Sequence, residues 1–230
     1  MTELVLLRHG ESLWNAEHRY QGQQGTGLSA RGRQQAKEAA DYLQSLQIDA
    51  VVASDLQRVT ETLQPYLDTR DDVPVRVDPR WREIDVGTWG GRTFADVYAD
   101  EPEVVDAFGR GEDVARGGGE TFAQLRTRVW AAARAIACTD VDPIACTDIE
   151  PIDPGDGGDA DAGMRAAGRA QRVLVVTHGG PIRVAAASAL QLPAGAEMLL
   201  DPPVNCSLTT LRLDGLSSYN VPTVPIGMDR

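Results

Sequence analysis

The chain has 230 residues, 42% of them hydrophobic, and a net charge of −12 at pH 7. This length suffices for one large domain with a buried core, and the negative charge argues against nucleic acid or an acidic membrane as the partner. No apolar run approaches the roughly 20 residues of a membrane span, the first strand leaves no room for a signal peptide, and the three cysteines lack paired spacing. We therefore expect a cytoplasmic protein.

The predicted elements of the first third alternate between strands and helices. Residues 3–8 form a strand, a helix starts at Ser29, and residues 49–54 form a short buried strand. Asp55 is predicted to cap the following helix, and a third strand covers residues 73–79.

The alternation continues to the C-terminal region. Residues 93–108 look helical with an interruption at Pro102, and a long helix is predicted to end near residue 137. Residues 172–177 form the most hydrophobic strand, a helix follows, and residues 205–213 alternate like a half-exposed strand. Apolar strands alternating with helices predict an α/β fold, a three-layer sandwich whose mostly parallel central sheet carries helices on both faces.

An acidic segment departs from this pattern. The octapeptide IACTDVDP at 136–143 is followed by the near copy IACTDIEP at 144–151, and residues 138–161 hold eight acidic and no basic side chains, −8 of the net −12. The spacing of the aspartates does not match a calcium-binding loop. We expect a disordered acidic insertion at about 138–163 within a single domain of residues 1–230.

Charged residues follow the predicted core strands. Arg8 and His9 end the first strand, Arg58 follows the second, Glu83 lies in the loop after the third, and His178 follows the strand at 172–177. In open α/β sheets, ligands bind beyond the carboxyl ends of the strands. We therefore expect these five side chains to converge on one pocket.

Such a set of side chains suits phosphoryl transfer. Guanidinium groups match phosphate, and nearby arginines keep an imidazole neutral, so that it can attack phosphorus. A carboxylate can protonate the departing oxygen. Each residue alone has an ordinary explanation, such as a structural histidine, a surface ion pair, or pairing of Glu83 with Arg80 or Arg82, so the prediction depends on the whole set.

Four segments resemble, in order, the motifs of the histidine phosphatase superfamily, also called phosphoglycerate mutase-like: LLRHGESLWN, SDLQRVTET, REIDVGTWGG and VVTHGGPIR. The resemblance implies a phosphoglycerate mutase-like fold and a metal-independent phosphomonoester hydrolase without a cofactor. It implies that His9 forms a phosphohistidine, that Glu83 is the proton donor and later the base, and that the phosphate pocket is completed by Arg8, Arg58 and His178. The resemblance also implies substrate-binding roles for Asn15, Gln21, Gly22 and Gly179, and none for His18.

The motifs of other classes of phosphatase match this sequence less well. Cys206 and Arg212 match the C-x5-R spacing of cysteine phosphatases, but CSLTTLR lacks glycine and alternates like a strand. The motif DVDPI at 140–144 resembles that of aspartate nucleophiles but falls in the repeated insertion. A two-metal site needs clustered carboxylates and histidines, and the arginines beside both core motifs disfavour a divalent cation.

A cofactor-dependent phosphoglycerate mutase is the main alternative. The resemblance implies that mutases carry paired arginines and a lysine after the acid motif, whereas this chain has the widely spaced Arg110 and Arg116 and no lysine in that segment. It also implies an asparagine after the second His-Gly of mutases, where this chain has Gly180. We therefore expect a phosphatase. A non-catalytic phosphate-binding scaffold is disfavoured because both His9 and Glu83 are present. The expected partner is a small phosphomonoester, not nucleic acid or a membrane, and a homodimer is left open.

Overall fold

A five-stranded sheet forms the centre of the molecule in the computed structural model, which describes residues 2–138, 171–193 and 195–212. The strands are ordered β3-β2-β4-β1-β5. Three pairings are parallel, and β5 runs antiparallel to β1. Their bounds are β1 (Thr2–Arg8), β2 (Ala50–Ala53), β3 (Val75–Val77), β4 (Gln171–Thr177) and β5 (Leu208–Arg212). Apart from its first residue, the predicted insertion at 138–163 lies outside the described residues.

Helices cover both faces of this sheet. They are α1 (Leu13–Ala16), α2 (Ala30–Gln44), α3 (Gln57–Leu67), α4 (Phe94–Asp100), α5 (Pro102–Gly109), α6 (Phe122–Cys138) and α7 (Gly179–Ala189). Because successive strand residues point to opposite faces, Leu4 and Leu6 of β1 pack with residues of α6 and α7. Val5 and Leu7 pack with residues of α2 and α3 on the other face. The predicted three-layer α/β sandwich is confirmed.

The register of the sheet brings the carboxyl ends of β1, β2 and β4 together. Arg8 at the end of β1 lies opposite Thr177 at the end of β4, and Ala53 at the end of β2 lies opposite Val176. Since these three strands are parallel neighbours, the residues that follow them emerge at one edge of the sheet. The loop containing Glu83 reaches the same edge, because Thr177 Oγ1 donates a hydrogen bond to the carbonyl oxygen of Trp81 at 2.6 Å.

Three local predictions differ from the structure. Helix α3 begins after Leu56 with no side-chain cap, because Asp55, the predicted cap, forms an ion pair with Arg82 instead. Strand β3 covers only Val75–Val77 of the predicted 73–79. The predicted interruption at Pro102 is confirmed, because α4 ends at Asp100 and Pro102 begins α5, where a missing N–H is tolerated. Strand β5 is mostly buried rather than half-exposed, because Leu208 packs in the core of one face and Leu211 in that of the other.

The helices of the described residues are of ordinary globular length. Helix α6 has 17 residues and α2 has 15. Helix α2 starts as predicted, with Ser29 Oγ accepting a hydrogen bond from the Gly32 amide at 3.0 Å. Over the ranges 2–138, 171–193 and 195–212, no helix combines the length and the apolar character that crossing a bilayer requires.

Candidate active site

A cavity of about 260 Å³ opens at the carboxyl edge of the sheet. Of the nine site residues predicted from the sequence, eight line it: Arg8, His9, Asn15, Gln21, Gly22, Arg58, Glu83 and Gly179. The ninth, His178, does not line the cavity and is fully buried. It reaches the site through Arg58, whose Nε donates to His178 Nδ1 at 3.2 Å.

The hydrogen bonds of His9 define its tautomer. Its Nδ1 lies 2.7 Å from the Gly10 carbonyl oxygen, which can only accept, so Nδ1 carries the proton. Nε2 therefore holds a lone pair, in agreement with its acceptance of a 3.3 Å hydrogen bond from Arg58 Nε. The backbone N–H of His9 donates to Thr177 O at 3.0 Å, and its carbonyl accepts from Asn205 Nδ2 at 2.9 Å. The ring is thus fixed with its nucleophilic nitrogen beside a guanidinium.

Arg58, near the start of α3, is held by carbonyl oxygens. Its Nη1 donates to Gln24 O and its Nη2 to Gly22 O, both at 2.7 Å, and its Nε lies between the two histidines. Gly22 can make this contact because its φ of +53° suits glycine, and a Cβ there would lie 2.7 Å from Val86 Cγ2. The loop before α2 therefore orients the guanidinium.

His178 has the opposite tautomer to His9. Because its Nδ1 accepts from Arg58, its Nε2 carries the proton and donates to Ser54 Oγ at 2.9 Å. The rings of His9 and His178 have centroids 5.1 Å apart and an interplanar angle of 62°. His178 therefore contacts both Arg58, through a hydrogen bond, and His9, through its ring.

Burial keeps both histidines neutral. It lowers the pKa of His9 and of His178 well below the ordinary 6.5, and the positive charge of Arg58 lowers both further. Burial also lowers the pKa of Arg58 to about 10, which leaves it charged at neutral pH. Arg8 has its pKa lowered by burial, and the Glu83 carboxylate opposes this shift. The site therefore presents two cationic arginines and an uncharged imidazole.

Glu83 lies at the amino end of α7. Its Oε1 accepts from the Gly180 amide at 3.1 Å and from the Ile84 amide at 2.9 Å. A Cβ at position 180 would lie only 2.2 Å from Glu83 Oε1, so glycine permits the close approach of the carboxyl group. Glu83 has no hydrogen bond to Arg80 or Arg82 within the described residues, because these two arginines pair with Asp78 and Asp55.

One arginine of α6 holds the loop that carries Glu83. The guanidinium of Arg128 donates to the carbonyl oxygens of Arg80, Arg82 and Glu83 at 2.7–2.8 Å and to both oxygens of the Glu120 carboxylate. Glu120 Oε2 in turn accepts from the Asp85 amide at 2.9 Å. Arg128 was not singled out in the sequence, because nothing in the pattern of α6 separates it from surface arginines.

Ser12 organises two of the predicted substrate-binding side chains. Its Oγ donates to Gln21 Oε1 at 2.8 Å and accepts from the Asn15 amide at 3.0 Å, while its own amide donates to Asn15 Oδ1 at 3.2 Å. The carboxamide oxygens of Asn15 and Gln21 are therefore occupied. Their NH2 groups are the donors that remain for a ligand in the cavity.

The rival chemistries have no matching geometry. Cys206 is buried and precedes β5, and burial raises the pKa of its thiol to about 12, so it is not a thiolate at neutral pH. The motif at 140–144 lies outside the described residues. Among the residues that are described, no group of three or more His, Cys, Asp or Glu side chains is arranged to hold a metal ion. His18 is exposed, as predicted.

Sequence reasoning missed several residues of the cavity region, among them Arg19 and Tyr20. Arg116 and Arg183 line the cavity, and Asn205 holds the carbonyl of His9. Arg183 could have been predicted to face the cavity, because it lies four residues after Gly179 on a predicted helix and therefore on the same helix face. Arg116 could not, since it lies in the glycine-rich run before α6.

Comparison with known proteins agrees with this geometry. The family model described as "Histidine phosphatase superfamily (branch 1)" matches residues 4–143 and 160–219. A glucosyl-3-phosphoglycerate phosphatase of Mycolicibacterium vanbaalenii is 45% identical over 96 residues, 42% of each chain. A probable phosphoglycerate mutase of Enterobacter sp. (strain 638) is 42% identical over 87 residues, 38% of this chain and 40% of the relative. The matched regions thus span less than half of these relatives.

Solved structures match over nearly the whole chain. A mycobacterial glucosyl-3-phosphoglycerate phosphatase in complex with VO3 has a TM-score of 0.73 and 32% identity, covering 92% of this chain and 93% of that one. Bacillus stearothermophilus YhfR has a TM-score of 0.77 and 26% identity over 97% of this chain and 96% of its own. With the family model matching 200 of 230 residues (140 plus 60), the chain belongs to the histidine phosphatase superfamily.

Proposed function

We propose that the chain hydrolyses a small phosphomonoester through a phosphohistidine at His9. The observation that carries the proposal is the lone pair of His9 Nε2, held in a cavity that Arg8, the buried Arg58 and a carboxyl group also line. A neutral imidazole is the nucleophilic form, and burial keeps His9 in that form.

In the first step, His9 Nε2 attacks phosphorus and the bond from phosphorus to the ester oxygen breaks. Protonated Glu83 gives its proton to that oxygen, and the alcohol leaves. Arg8 and Arg58 balance the charge on the phosphoryl oxygens, with the Gly179 amide at the start of α7 beside them. No step calls for a metal ion, because the arginines perform the neutralisation.

In the second step, water attacks phosphorus from the side that the alcohol has left. The Glu83 carboxylate accepts a proton from this water, the bond from phosphorus to Nε2 breaks, and inorganic phosphate leaves. His9 returns to the neutral tautomer with its proton on Nδ1, and Glu83 is again protonated for the next cycle.

The relatives support a phosphatase and keep a mutase as the alternative. Proteins similar to this chain include glucosyl-3-phosphoglycerate phosphatases and probable phosphoglycerate mutases. Gly180 favours the phosphatase, because the resemblance implies an asparagine at this position in mutases. A cytoplasmic location, a homodimer and the absence of a nucleic-acid partner remain predictions.

Phosphate release from a panel of monoesters tests the proposal. Wild-type protein should release inorganic phosphate, His9→Ala should not, and His18→Ala, which changes an exposed histidine outside the cavity, should match wild type. The same preparations are given 3-phosphoglycerate with 2,3-bisphosphoglycerate. Fast interconversion of 3- and 2-phosphoglycerate with slow phosphate release would favour the mutase instead.

A further inference from the structure

Three further arginines line the cavity beyond the four catalytic groups that face it: Arg19, Arg116 and Arg183. Arg19 forms an ion pair with Glu17 at 2.6 Å, which leaves Arg116 and Arg183. Arg116 lies in the turn before α6, and Arg183 lies on α7, one helical turn after Gly179. Their guanidinium carbons lie 4.6 Å and 5.9 Å from the centroid of the same ring, that of Phe122. Arg116 also stacks on Phe108 at 3.9 Å. Aromatic faces therefore hold both cations in place.

Neither arginine has an anionic partner within 4 Å in the described part of the chain. Arg116 has a buried Nε without a hydrogen bond, and its Nη2 reaches only Met198 Sδ at 3.9 Å. Arg183 donates its Nε to the Glu197 carbonyl at 3.1 Å. By contrast, Arg110 of the same segment as Arg116 is exposed and pairs with Glu112 at 2.8 Å. Two like charges near one ring, with most of their donors unused, form an arrangement that an anion would stabilise.

The charges around the cavity also indicate that Arg116 and Arg183 bind an anion. The two charges of Arg8 and Arg58 match a phosphomonoester dianion. Glu83 lies close enough to raise the pKa of Arg116 and Arg183, but it must be protonated to act as the general acid. During the first step, Arg116 and Arg183 therefore lose the counter-charge of Glu83. The other carboxylates that act on them, Asp113 on Arg116 and Glu197 and Asp201 on Arg183, form no ion pair with them within 4 Å in the described part of the chain.

We propose that Arg116 and Arg183 form a second anion subsite, and that the substrate carries a carboxylate or second phosphate on its leaving group. This inference rests on the proposed hydrolase function and specifies its substrate class. Both anions fit a guanidinium fork, and both arginines line the cavity that His9 also lines.

The test compares substrates that differ in one group. D-3-Phosphoglycerate and sn-glycerol 1-phosphate, which share the configuration at the central carbon, differ only by carboxylate against hydroxymethyl. Propane-1,3-diol bisphosphate against its monophosphate tests a second phosphate. For each pair the ratio of kcat/KM values is measured in wild type, Arg116→Met, Arg183→Met and the control Arg110→Met. Because both substrates meet the same preparation, the ratio does not depend on the fraction of folded enzyme.

Wild type and Arg110→Met should prefer the member with the second anionic group in at least one pair by about 10- to 100-fold, as expected for charge-assisted hydrogen bonds. Each Met variant should lose most of that preference, and Arg116→Lys should recover part of it. The pair that shows the larger preference distinguishes carboxylate from phosphate. Equal ratios in wild type and the Met variants would overturn the inference.

Failure of the proposed hydrolase would appear separately. If wild type released phosphate from none of the compounds, calorimetric binding of D-3-phosphoglycerate and sn-glycerol 1-phosphate would take the place of turnover. Tighter binding of 3-phosphoglycerate that is lost in Arg116→Met and Arg183→Met would support the subsite without the reaction. Equal binding of the two compounds would overturn it.

Discussion

Replacing Arg128 by methionine is expected to weaken both the fold and the action of Glu83. The guanidinium makes five hydrogen bonds, three to the carbonyls of residues 80, 82 and 83 and two to Glu120, and the two side chains are only 19% and 21% exposed. Removing one partner of a largely buried ion pair costs about 3–5 kcal/mol. We expect the free energy of unfolding in Arg128→Met to fall by roughly this amount.

Activity should change in a way that reports on Glu83. A loosened loop misplaces the general acid, so hydrolysis of an alkyl phosphate should fall at least about tenfold more than that of p-nitrophenyl phosphate, whose leaving group needs little protonation. The assays are urea denaturation and the ratio of the two kcat/KM values, with Arg134→Met, an exposed arginine of the same helix, as the control. An unchanged ratio in a destabilised Arg128→Met would refute a positioning role, and unchanged stability would refute the energetic reasoning.

Three further outcomes are expected. Glu83→Gln should lose roughly 10²–10⁴-fold on alkyl phosphates and much less on p-nitrophenyl phosphate; equal losses would remove Glu83 from the acid role and leave Asp85 as the next candidate. Activity should persist in EDTA and be inhibited by vanadate, and restoration of a chelator-inactivated enzyme by Mg²⁺ would contradict metal-free catalysis. The free energy of unfolding should fall as pH drops below 6.5, because the folded-state pKa values of His9 and His178 are lowered and the unfolded chain takes up protons first. Denaturation at pH 7.5 and 5.5 checks this. In His9→Ala, the free energy of unfolding should depend less on pH.

The main features of the site could be predicted because its parts follow strand ends. His9, Arg58 and His178 each come directly or shortly after an apolar strand, and parallel strands bring such positions to one edge. The tautomers could not be predicted, since they depend on the Gly10 carbonyl and on Ser54, which are partners in space. The sequence could thus predict which side chains lie close together, but not which imidazole nitrogen carries the proton.

Long-range partners account for the local errors. Asp55 has the residue type and position of a helix cap, yet the Arg82 guanidinium offers a stronger, charge-assisted contact. Arg116 precedes α6 among glycines, and only the packing of Phe108 and Phe122 brings it to the cavity. Such contacts join segments that are distant from the catalytic motifs in the sequence, so motif spacing carries no information about them.

Trapping the intermediate tests the central claim most directly. Wild-type protein is mixed with a ³²P-labelled substrate, denatured within the first turnovers under alkaline conditions, and digested for peptide mapping. The account predicts acid-labile, alkali-stable label on His9, none in His9→Ala, and a normal amount in His18→Ala. Label on Cys206, or rapid turnover by His9→Ala, would contradict it.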